Sequence, residues 1–159
     1  MALSNRDFIE GLRSSRRHFL KHLKGMTLEQ TDWKPYPECM NVKETVAHLV
    51  VDDLAALESF QTLHEPAYDQ IPRPSGPLPE LLAALDASHK ELISWLEEHM
   101  GDKSLDAPSC AFGSPLPACR AIAHISSEDY YHSGQVAFIR MATDPSWEYY
   151  GAIYGPEES

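Results

Sequence analysis

Four stretches of this chain set apolar residues three and four apart, and between them no run alternates apolar with polar as a sheet requires. The pattern predicts helices and leaves no strands from which an α/β fold could be built. The first stretch, from about residue 5 to residue 24, carries Phe8, Leu12, Phe19 and Leu23 and stops at Gly25. Ahead of the second, Asn41 and Glu44 form an N-x-x-E capping pair, which predicts a helix beginning at Val42 and running through VKETVAHLVVDDLAALESF. Leu81, Leu85, Leu92 and Leu96 mark the third, with Gly101 as its C-terminal cap. The fourth is expected over about residues 115–142, because Pro115 and Pro117 are tolerated in a first helical turn.

The connections are as telling as the helices. Residues 26–41 hold Trp33, Pro35 and Pro37 and suit an irregular link. Between Glu65 and Pro79 five prolines interrupt EPAYDQIPRPSGPLP, too many for a helix and wrongly placed for a central strand. This segment is a long crossover between the second and third helices, and residues 102–114 are a loop. The predicted class is all-α, a four-helix bundle. A length of 159 residues suits one domain, with Trp147 and the C-terminal tyrosines packed on the bundle and a tail partly ordered from about residue 143.

Charge narrows the partners. The 24 acidic residues against 13 basic ones give a formal net charge of −11, which repels phosphate backbones, and no basic patch with interleaved aromatics offsets it. Nucleic acid is therefore not an expected partner. The N-terminus lacks the apolar core of a leader, and no window reaches the roughly 18 apolar residues of a membrane span, so a cytoplasmic protein with no membrane partner is expected. Cys39, Cys110 and Cys119 show no CxxC spacing; a Cys110–Cys119 bridge is allowed by separation but disfavoured in a reducing compartment.

Chemistry concentrates in HISSEDYYHSGQ, where His124, Glu128 and His132 follow at four-residue intervals, about 40° apart per step around a helix. Such a set can hold a metal ion. On a helical wheel Ile122, Ile125, Val136 and Ile139 define the apolar face; His132 falls on it, Glu128 at its edge, and His124 on the flank. Burying an imidazole and a carboxylate is costly unless something satisfies them, and a divalent cation satisfies both. A hydrogen-bonded core histidine and a surface carboxylate are the plain alternative.

Two residues one turn apart cannot close a coordination sphere, so a third ligand must come from another helix. His48 is the candidate, although it lies roughly 120° from the centre of its own helix's apolar stripe. Asp53 falls within that stripe and Asp52 one turn beyond His48. Either could orient a ligating imidazole, or both could reach solvent on a tilted helix.

Trp33-Lys34-Pro35, ETVAHLV around His48, and His132-Ser133-Gly134-Gln135 occur in the order and helices typical of the DinB/YfiT-like superfamily, which the chain resembles over most of its length. That resemblance implies a four-helix bundle holding zinc, nickel or a similar divalent ion through three histidines. His48 and His132 match two of those positions, while the third, four residues before the last histidine, is Glu128. A His-Glu-His set is harder than three histidines and suits manganese or iron as well; His124 is the substitute ligand should Glu128 not bind. The resemblance further implies a metal-dependent enzyme, a thiol S-transferase or hydrolase. It would activate a low-molecular-weight thiol or water against a small electrophilic substrate, with the protein acting as a homodimer. The rival reading is a non-catalytic stress-response module that binds a metal or a small ligand.

Overall fold

Helices form where capping residues and apolar spacing agree. The computed structural model describes residues 2–156, so the end of the expected frayed tail, residues 157–159, lies outside the described residues. In order along the chain come α1 (Asn5–Leu23), α2 (Leu28–Asp32), α3 (Val42–Thr62), α4 (Leu78–His99), β1 (Pro108–Ala111), β2 (Ser114–Pro117), α5 (Ala118–Thr143) and α6 (Tyr149–Tyr154). At the start of α3, Glu44 N donates to Asn41 Oδ1 at 2.8 Å and Asn41 N donates to Glu44 Oε2 at 2.9 Å, the reciprocal capping the sequence predicted. Gly25, at φ 76°, lets the chain turn away after α1.

Two expectations are corrected. The fourth long helix begins at Ala118 rather than near residue 115, because residues 114–117 pair with 108–111 as an antiparallel hairpin. Its two-residue turn, Phe112-Gly113, has φ of 50° and 85°, the doubly positive backbone whose twist matches that of flanking strands. A Cβ on Gly113 would come within 2.9 Å of Glu65 Cα, so glycine also lets the crossover approach. Strands of four residues, with prolines at 108, 115 and 117, carry no readable alternation. The links at 26–41 and after residue 143 are also less irregular than expected, since they contain α2 and α6. All three cysteines are free thiols.

Direction follows from the contacts. Arg16 of α1 meets Asp129 of α5 and His22 meets Arg140, so these helices run parallel; Asp53 meets Ser88 and Phe60 meets Trp95, so α3 and α4 do too. Parallel neighbours need a long return, and the proline-rich segment between α3 and α4 provides it. Apolar side chains gather in two clusters, one around Leu12, Leu57, Leu92 and Ile125, the other around Phe19, Leu49, Leu85 and Val136. Between them lies a buried polar belt. Arg16 donates to both oxygens of Asp53 at 2.9 Å and to Asp129 at 2.8 Å, while Ser88 donates to Asp53 and Ser15 to Asp129 at 2.8 Å each. No helix among the described residues is long and apolar enough to cross a membrane.

Candidate metal centre

At the level of this belt α3 and α5 face each other. His48 and Asp52, four residues apart on α3, project from one side; His132 of α5 projects from the other and is 1% exposed. One donor atom from each of the three lies within 4.8 Å of the others. Two ligands at about 2.1 Å from a common ion are at most about 4.2 Å apart, so the set is nearly at coordinating distance. The imidazole rings meet edge to face at 4.9 Å, and His48 Nε2 is 3.2 Å from Asp52 Oδ2.

The protonation of His132 is set by its neighbour. Its Nδ1 lies 2.7 Å from Gln135 Oε1, an oxygen that can only accept, so Nδ1 carries the hydrogen and Nε2 keeps its lone pair. That Nε2 is buried and has no partner. An orphaned acceptor in a protein interior costs about 1–3 kcal/mol, and a cation placed among His48, Asp52 and His132 would satisfy it.

Electrostatics agree with this fit. Burial, with the His132 and Arg73 charges, pushes His48 down to about 4; burial also lowers His132. Both rings are therefore neutral near pH 7, the form that binds metals, and the His48–Asp52 contact is not a pair of full charges. Asp52 is pushed up to about 7, chiefly by burial and then by the charges of Glu128 and Asp53. In the belt the charges of Glu128, Asp53 and Asp129 all act on Asp52 and are opposed there by the guanidinium of Arg16. A divalent cation would redress that imbalance.

The candidates separate as follows. His48 and His132 come together. Asp52, expected only to orient an imidazole, supplies the carboxylate of the convergent set. Glu128 is half-buried and close enough for its charge to act on Asp52 and His132, but its oxygens are not among the three atoms that converge. Asp53 is engaged by Arg16 and Ser88 instead of either imidazole. His124 is exposed, with its ring against Phe112 at 5.8 Å. The i, i+4 spacing of His48 and Asp52 is the sequence signal for Asp52, and spacing alone does not tell a ligand from a residue that orients one. Asp129 had no comparable signal. It sits beside Glu128 in the motif, and only the position of Arg16 shows why it is buried.

The proline-rich crossover borders the centre. Arg73 donates to the Glu44 carbonyl at 3.2 Å and its charge reaches His48. Tyr68 is raised by burial and by the charges of Asp52, Glu65 and Glu128, which places its phenol near the same carboxylates. Tyr131 packs edge-on against His132 at 5.0 Å.

Comparison with known proteins agrees with the helical bundle. No curated protein matches the chain. The family model for the DinB superfamily matches residues 12–136, which takes in α1 from Leu12 onward, α2, α3, α4, the hairpin, and α5 as far as Val136. With that match over most of its length, the chain belongs to the DinB superfamily.

Proposed function

We propose that this protein is a metal-dependent enzyme whose divalent ion is held by His48, Asp52 and His132, with Glu128 adjacent. The observation that carries the reading is the buried, unpartnered Nε2 of His132, a residue that converges with a second neutral imidazole and a carboxylate. Three protein ligands leave coordination positions for water or substrate, the arrangement of catalytic rather than structural centres. A bound ion would supply Lewis acidity, lowering the pKa of a thiol or water for attack on a small electrophile.

The chain's own residues then have separate tasks. Gln135 holds the His132 tautomer, Glu128 adds negative charge beside the donors, and Tyr68 and Arg73 line the approach from the crossover. Two nitrogens and a carboxylate suit zinc or nickel, and accommodate manganese or iron. Low-molecular-weight thiols are the proposed nucleophile and water the alternative. The test is turnover: the metal-loaded protein is assayed with a panel of thiols against electrophilic acceptors, and with esters for hydrolysis. Metal-dependent conjugation or hydrolysis, lost in His132→Ala, is expected. Metal binding with no turnover across the panel would contradict catalysis and leave a binding module.

A further inference from the structure

Away from the cluster, about 12 Å further along α5 by helical rise, a second feature has no role in the chemistry above. The end of α1, the last turns of α5 and the C-terminal segment border a half-open cavity of about 610 Å³, lined in part by Lys24, Gly25, Arg140, Trp147 and Ala152. That volume is in the range of small-molecule sites. In a chain of net charge −11, three of its 13 basic residues, Lys21, Lys24 and Arg140, line this cavity, Lys21 with interactions of its own. No acidic side chain is among the described lining residues.

Arg140 is the centre of it. The residue is only 8% exposed, its guanidinium lies 4.7 Å over the Trp147 ring, and its Nη1 donates to the His22 carbonyl at 2.8 Å. Its Nε is buried and has no partner. With Nη1 used, the remaining edge consists of Nε and Nη2, the fork that matches two oxygens of a carboxylate or phosphate. Burial lowers the Arg140 pKa, opposed by Asp144, so the cation is under-compensated where it stands. A Cβ built on Gly25 would meet Arg140 Nη2 at 3.7 Å, so the glycine brings the turn after α1 close to the guanidinium.

We propose that this cavity binds an organic oxyanion, a small molecule that presents a carboxylate or phosphate to the free edge of Arg140. Lys24, exposed at the cavity wall, adds charge without making an ion pair among the described residues. The body of the ligand would occupy the space beside Trp147 and Ala152. This site is independent of the metal cluster, and its ligand does not have to be the substrate.

Isothermal titration of the full chain with inorganic phosphate and, separately, with succinate tests the proposal and tells the two oxyanion chemistries apart. Saturable one-site binding of at least one probe is expected, with a change in Trp147 fluorescence. Affinity should fall about tenfold or more in Arg140→Gln, the loss expected for a charge-assisted fork, and measurably in Lys24→Glu. The Lys24 side chain is exposed, so its variant decides the matter should Arg140→Gln fail to fold. His132→Ala should leave the binding unchanged. No saturable binding of either probe up to about 10 mM, or equal affinity in wild type and Lys24→Glu, or loss of binding in His132→Ala, would overturn the proposal.

Discussion

At the scale of single residues, Asp52 and Glu128 divide the question of which carboxylate meets the ion. Asp52 is on the same face of α3 as His48 and belongs to the convergent set, whereas Glu128 acts on that set through its charge. Asp52→Asn should therefore weaken metal affinity by about a hundredfold, as for loss of a ligand, and Glu128→Gln by about tenfold or less; competition with a chromogenic chelator measures both. Reversal of that order would make Glu128 the ligand. In the metal-free protein Asp52 also has a pH signature. Its carboxyl is raised in the folded state from 3.8 to about 7, so folding disfavours its ionised form. The resulting destabilisation is absent below about pH 3.8, grows across the interval, and is complete above about pH 7. Asp52→Asn should accordingly raise the melting temperature of the metal-free protein by a few degrees at pH 8 and change it little at pH 4. An equal change at both values would show that the Asp52 carboxyl is not raised.

At the scale of elements, α3 was legible because cap, periodicity and apolar face agreed, and the body of α5 because its apolar face recurs at helical spacing. Asn41→Ala should cost about 1 kcal/mol in urea unfolding, the usual value of a reciprocal cap, and no measurable cost would show that α3 does not depend on it. The hairpin was illegible for the opposite reason: its strands are short, rich in proline, and joined by a turn in which Phe112, not glycine or asparagine, takes a positive φ. The second half of the site was hidden by a similar limit. A helical wheel ranks residues by distance from the apolar centre, and His48 and Asp52 lie to one side of it, where α3 turns toward α5. The buried belt was visible only as isolated oddities such as Asp53 in an apolar stripe. Arg16, which binds both Asp53 and Asp129, gives that oddity its reason. Arg16→Met leaves two buried carboxylates unpaired and should destabilise by about 3–5 kcal/mol, read by the same unfolding measurement. A loss under about 1 kcal/mol would mean that the belt relaxes into solvent.

Across the whole molecule, two apolar clusters are separated by a layer in which negative charge exceeds positive. Proteins tolerate such a layer when something offsets it, and within this bundle the convergent donors of α3 and α5 mark where an ion would do so. Ion binding should then stabilise the entire fold, because the donors come from two helices that only the folded chain brings together. At free ion about a hundredfold above the dissociation constant, the gain is about 2.7 kcal/mol. The most direct measurement is the metal content of untagged protein after dialysis against zinc or nickel, determined by elemental analysis for the wild type, His124→Ala and His132→Ala. Close to one equivalent is expected in the first two and almost none in His132→Ala; full occupancy in His132→Ala, or no bound metal in the wild type, would rule out an ion held by this residue.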